Sequence, residues 1–106
     1  MPIKNSFSER CYALLKTVPK GKVTTYQSLA HALGTQAYRA VGTALHHNPY
    51  APNVPGHRVV NANGDLGGFA SGPKKKIALL RQEGVLVKGG KIVDFEKKFF
   101  NCKPFK

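Results

Sequence analysis

Acidic residues are scarce: five Asp and Glu stand against seventeen Lys and Arg, which leaves a formal net charge of +12 on 106 residues. So large an excess repels itself unless a polyanion or solvent takes it up, and this makes nucleic acid the leading partner. Long apolar runs are missing, none approaching the roughly 18 residues of a membrane span. The basic residues are not laid along one face of a long amphipathic helix, so a membrane surface is not expected as a partner either. Only two cysteines occur, Cys11 and Cys102. They are far apart and form no Cys-x-x-Cys, which excludes a disulfide framework and a zinc site, so reduced thiols and no cofactor or metal are expected. The N-terminal MPIKNSFSER lacks an apolar h-region, so a cytoplasmic location is expected, nucleoid-associated in a prokaryote. Internal repeats are absent too.

What is present is enough for one packed domain. Apolar residues make up 42% of the chain and run along its whole length, as a small globule requires. Ser6-x-x-Glu9 has capping-box spacing, and Phe7, Cys11, Leu14, Leu15 and Val18 follow at helical intervals, predicting a first helix that stops before Pro19. A second, short helix is predicted after Thr24 or Thr25 as N-cap, with Leu29, Ala30 and Leu33 inward and Gly34 as its stop. A third is predicted from about Gln36 to His47, and two short helices across a Gly-containing turn make a helix-turn-helix pattern. From Asn48 to Gly56 three prolines impose an extended loop. His57 to Val60 reads as a strand, Asn63-Gly64 as a tight turn, and Leu66 to Gly72 as a Gly-rich loop. Pro73 suits the first position of a last helix carrying Ile77, Leu79 and Leu80 and ending near Gly84. Val85 to Val93 reads as a hairpin around Gly89-Gly90.

These elements predict an α+β, mostly helical domain over 1–96: a winged-helix-like helix-turn-helix with a short strand or hairpin. A basic tail over 97–106, expected to be loose, follows. Lys74, Lys75 and Lys76 occupy the first turn of the last helix, where the macrodipole disfavours cations by roughly 0.3–1 kcal/mol each. That local cost suggests an external gain, and contact with DNA phosphates is expected of them.

Taken together, Thr25-Tyr26-Gln27-Ser28-Leu29-Ala30, Tyr38-Arg39-Ala40-Val41-Gly42, Asn48-Pro49, Pro55-Gly56-His57-Arg58-Val59-Val60 and Gln82-Glu83-Gly84 resemble one family. In order and spacing, from roughly Phe7 to Val87, the chain is similar to the DNA-binding domain of the O6-alkylguanine-DNA alkyltransferases. The N-terminal domain of full-length members has no counterpart in these residues. The family hallmark is Pro-Cys-His-Arg, whose Cys accepts the alkyl group from a flipped guanine; the aligned residue here is Gly56, and a hydrogen is no nucleophile. The resemblance is therefore to the alkyltransferase-like branch, which binds alkylated guanine without removing the lesion and commonly carries Trp or Ala at this position. No enzyme activity is expected.

The resemblance implies a lesion pocket of Tyr26, Gly56, His57, Val59, Phe69 and Ser71. It implies that the third helix enters the minor groove and that DNA is met by Thr25, Tyr26, Gln27, Ala37, Arg39, Ala40 and Gly42, with Lys74 and Lys75 added from the charge argument. Arg39 would be the finger inserted where the nucleotide leaves the stack. Asn48, Arg58 and Glu83 would form a structural network, and His57 would keep a hydrogen-bonding role once the thiol it served is gone. The expected partner is duplex DNA containing alkylated guanine, bound by a monomer, with nucleotide excision repair proteins acting afterwards. Two alternatives stay open: an active or engineered-inactive alkyltransferase, for which Cys11 is the remaining thiol considered, and a helix-turn-helix protein without lesion preference.

Overall fold

The computed structural model describes residues 7–48, 53–69 and 71–103. Ser6 of the predicted capping box, residues 49–52 of the proline-rich loop, Ala70 of the Gly-rich loop and residues 104–106 of the tail lie outside the described residues.

Helix α1, Phe7–Leu15, buries Cys11, Tyr12, Leu14 and Leu15. Its last turn is closed by the Thr17 hydroxyl, which donates to the Leu14 carbonyl at 2.6 Å, so the helix ends before Pro19 as the sequence predicts. Helix α2, Tyr26–Ala32, starts at Thr25, whose Oγ1 accepts from the Ser28 amide at 2.9 Å. It stops at Gly34, held at φ +77°, a left-handed conformation that glycine adopts without a Cβ penalty. Helix α3, Tyr38–His46, begins two residues later than predicted and is capped by Ala37 without a side-chain hydrogen bond. The buried Tyr12 hydroxyl donates to the Ala44 carbonyl at 2.8 Å and fixes α1 against α3.

The short strands escaped the sequence reading in part. Strand β1, Thr24–Thr25, pairs in parallel with β2, Val59–Val60, and two-residue strands leave no periodicity to detect. His57 and Arg58, expected in a strand, instead form with Gly56 one 3-10 turn. Adjacent strand residues point to opposite faces; the turn lets both side chains converge on one partner. Helix α4, Pro73–Gln82, has Pro73 in its first turn. The hairpin of β3, Val87–Lys88, and β4, Lys91–Ile92, is antiparallel, with Val87 opposite Ile92.

Helix α5, Phe95–Lys98, and the residues after it correct the expectation of a loose tail. The Val23 amide donates to the Lys98 carbonyl at 2.9 Å and the Phe100 amide to the Val23 carbonyl at 2.7 Å. Cys102 is buried, its amide donating to the Ser28 hydroxyl at 2.8 Å. An apolar residue near the chain end outweighs the surrounding lysines because its side chain fills the gap between Thr24 and α2.

Two apolar clusters result. One unites α1, α2 and α3 with Val59; the other unites Val23, Val60, Leu66, Leu80, Val85 and Ile92. Val59 and Val60 face opposite clusters, so β2 is the seam between them. The architecture is α+β and mostly helical, as predicted. Among the described residues no helix is long and apolar enough to cross a membrane.

Candidate functional site

The 3-10 turn at the end of the proline-rich loop delivers His57 and Arg58 to Glu83, one residue beyond α4. His57 is 4% exposed, and its Nε2 lies 2.8 Å from Glu83 Oε2. An ionised carboxylate can only accept, so Nε2 carries the proton of this bond. Arg58 Nε donates to Glu83 Oε1 at 2.9 Å and Nη2 to Oε2 at 2.8 Å, a two-pronged pairing. Its Nη1 donates to the Val18 carbonyl at 2.8 Å and so reaches back to the turn that follows α1. Burial raises the Glu83 pKa, but hydrogen bonds from Arg58 and His57 outweigh it and hold the carboxyl below its ordinary value. Asn48 braces the preceding loop, its Nδ2 donating to the Val54 carbonyl at 2.8 Å.

Above this network lies a cavity of about 350 Å³ lined by Tyr26, Gly42, Leu45, His46, Gly56, Gly68 and Phe69. Gly56 does not have left-handed φ, so its backbone does not require glycine. Among the described residues beyond its chain neighbours, a Cβ there would meet Asn48 Nδ2 at 3.8 Å and Phe69 Cε1 at 3.9 Å, ordinary contact distances. The space is therefore a property of the residue chosen, not of the chain path.

Of the residues expected around a lesion, Tyr26, Gly56 and Phe69 share this wall. His57 and Val59 are buried and lie outside the lining, and Ser71 is exposed and also outside it. Tyr26 is partly buried, which pushes its pKa up, and its hydroxyl is a long 3.5 Å from the Gly68 carbonyl. A second concavity of about 560 Å³ shares Tyr26, Gly42 and Gly68 and adds Gln27, Tyr38, Arg39, Asn61 and Ala62. Arg39 also borders a concavity on the other side of α3 with Phe7, Ala40 and Thr43. It is an exposed ridge residue between two hollows.

Two expectations change. Lys76 is not a phosphate contact: it is fully buried, because the helix turns it inward while Lys74 and Lys75 stay exposed. Thr25, expected at the DNA surface, is 3% exposed and its hydroxyl caps α2. Ala37 is exposed as the cap of α3. Both thiols are buried. Cys11 is fully buried, and burial pushes its pKa up to about 11 despite the neighbouring Arg10; Cys102 is packed against Thr24. Sequence reasoning missed Leu45 and His46 of the cavity wall, whereas Gly68 lies in the Gly67 to Ser71 loop that the resemblance assigns to reading the guanine edge; the helical phase of Gly42, Leu45 and His46 on α3 was the available signal.

Comparison with known proteins agrees with this geometry. Residues 6–85 match the family described as 6-O-methylguanine DNA methyltransferase, DNA binding domain. A methylated-DNA-protein-cysteine methyltransferase of Metallosphaera sedula is 48% identical over 84 residues, covering 79% of this chain and 53% of that protein. The chain spans about half the length of the single-function methyltransferases it matches. Among solved structures, Mycobacterium tuberculosis OGT in complex with DNA superposes with a TM-score of 0.71 at 42% identity, covering 74% of this chain and 50% of that one. S. pombe Atl1, in complex with damaged DNA containing O6-carboxymethylguanine, superposes with a TM-score of 0.79 at 27% identity, covering 94% and 98%. Cavity, buried network and matched sequence fall in the same stretch, and the chain belongs to the family of 6-O-methylguanine DNA methyltransferase DNA-binding domains.

Proposed function

We propose that this domain recognises O6-alkylguanine in duplex DNA, receives the extruded base in the cavity over Gly56, and does not take the alkyl group. The observation that carries the reading is the open space at Gly56, where the nearest atoms to a Cβ among the described residues beyond its chain neighbours lie at 3.8 and 3.9 Å, above an otherwise complete His57, Arg58 and Glu83 network. Alkyl transfer needs a thiolate at the reacting carbon. The two thiols of this chain are both buried in its packing, and the one at Cys11 is held protonated by its surroundings.

The path of the DNA follows from shape and charge. Small side chains at Ala37, Ala40 and Gly42 let α3 approach closely, which suits insertion into the minor groove. Arg39, exposed between two hollows, fills the gap left by the extruded nucleotide. Its guanidinium stacks and hydrogen-bonds there, offsetting an unstacking cost of a few kcal/mol. The net charge of +12 supplies salt-sensitive affinity for the phosphates. Atl1, similar over nearly its whole length, was crystallised with damaged DNA, which supports the same use of this fold here. A monomer that binds and leaves the lesion in place marks it for other proteins, those of nucleotide excision repair.

The test is competition between two duplexes identical except for guanine or O6-methylguanine at one position, followed by intact-mass measurement of the protein. Preference for the lesion with unchanged protein mass is expected. Equal affinity would refute lesion recognition, and a gain of one methyl would refute the non-enzymatic reading.

A further inference from the structure

Among the described residues Lys76 is the largest fully buried side chain. No carboxylate among the described residues pairs with it. Its ammonium instead donates to three backbone carbonyls: Val59 at 2.6 Å, Leu66 at 2.6 Å and Gly68 at 3.1 Å. An ammonium has three protons, and all three are used. Burial pushes its pKa down to about 8, while three acceptors at hydrogen-bonding distance favour the charged form. A buried cation without a counter-ion is expensive, so its retention calls for a role that an apolar side chain would not fill.

The identity of the three carbonyls supplies that role. Val59 belongs to β2, the seam between the two apolar clusters. Leu66 and Gly68 belong to the loop that follows the turn at Gly64, a stretch in which Gly67 is at φ +76° and which contributes Gly68 and Phe69 to the cavity wall. The same Gly68 carbonyl faces the Tyr26 hydroxyl at 3.5 Å, and Gly68 lines the second concavity as well. One side chain thus ties strand, loop and, through the shared carbonyl, the N-terminal end of α2.

We infer that Lys76 is a positioning residue for lesion recognition, a pin that holds the Gly68-Phe69 wall at a fixed distance from β2 before DNA arrives. The inference rests on the reading of the cavity as the lesion pocket. A wall already in place need not be ordered on binding, so more of the contact energy appears as affinity. Because the ammonium lies inside the domain, it contributes to discrimination between lesion and guanine and not to the phosphate contacts that set salt dependence.

The test uses the full chain, its Lys76→Met variant and its Lys76→Gln variant, whose amide retains two of the three donors. Lesion and guanine duplexes are competed at several salt concentrations, and amide hydrogen exchange is measured on the free proteins. In Lys76→Met the ratio of lesion to guanine affinity should fall about tenfold, the scale set by losing charge-assisted hydrogen bonds. The salt slope should stay that of the parent, exchange over 66–69 should accelerate while α1 stays protected, and Lys76→Gln should recover part of the ratio. An unchanged ratio with unchanged exchange over 66–69 would overturn the inference. If Lys76→Met does not fold, Lys76→Gln decides alone: a lowered ratio supports the pin and a parental ratio overturns it. Should the parent itself bind both duplexes equally, the pocket reading fails, and exchange over 66–69 still judges the pin.

Discussion

Replacing Gly56 by Cys supplies a thiol of the kind that alkyl transfer needs, and the structure permits the consequences to be worked out. Gly56 is not in the left-handed region, and a Cβ would sit 3.8 Å from Asn48 Nδ2 and 3.9 Å from Phe69 Cε1, so neither strain nor overlap opposes it. A side chain at a compatible glycine stabilises by about 0.4–1 kcal/mol by restricting the unfolded chain. For a domain near 100 residues that amounts to a rise in Tm of roughly 2–6 °C. The new sulfur would be carried by the residue preceding His57, whose Nε2 is already oriented by Glu83 at 2.8 Å. With an O6-methylguanine duplex the thiolate should attack the methyl carbon as its bond to O6 breaks, leaving guanine in the DNA and one methyl on the protein. Differential scanning calorimetry and intact-mass spectrometry read the two effects, with Gly56→Ala as the control that adds the Cβ without sulfur. A clear drop in Tm would refute the packing argument. Lesion binding by Gly56→Cys without any mass gain would refute the claim that cavity and His57 are in register.

Three further outcomes follow from the same geometry. Glu83→Gln leaves Arg58 and His57 without their shared carboxylate, and removing one partner of such a partly buried group should destabilise by about 2–4 kcal/mol in urea unfolding. Because the folded Glu83 pKa lies below its ordinary 4.5, its contribution is present above that value and should be lost as pH falls through the folded pKa; urea midpoints for parent and variant should therefore converge in strong acid. Lys74→Gln with Lys75→Gln should flatten the slope of log K against log salt by about one to two units if these exposed lysines meet phosphates, and an unchanged slope would place them in solvent. Ending the chain after Phe99 removes the Phe100 and Cys102 contacts with Val23, Thr24 and Ser28; a loss of about 2–4 kcal/mol is expected by comparison with truncated core side chains, measured by thermal unfolding.

Much of the helical frame was legible because the helices before α5 carry local signals: the hydroxyl of Thr25 and the glycine at position 34 bracket α2, and Pro73 opens α4. The hairpin was legible from Gly89-Gly90 between β-branched residues. What remained hidden depended on distant parts of the chain. Strand β1 exists only because Val59 and Val60 lie alongside it, and nothing within Thr24–Thr25 reports that. Lys76 reads as one of three surface lysines until the helix phase is fixed by Leu80 and Ile77, after which it points at carbonyls supplied by residues 8 to 17 positions earlier. Cys102 reads as part of a basic tail until Ser28 and Thr24 are seen to receive it. At the site, the Arg58 and Glu83 pairing and the gap at Gly56 follow from family resemblance, whereas Leu45 and His46 enter the wall only through the packing of α3.

The claim that everything else depends on is that the hollow above Gly56 holds an extruded base. A crystal structure of the full chain with a duplex containing one O6-methylguanine tests it most directly. The account predicts the modified base outside the helix and inside the cavity of about 350 Å³, between Tyr26 and Phe69, with Arg39 in its former place. A modified base still stacked in the duplex, with that cavity empty, would contradict it.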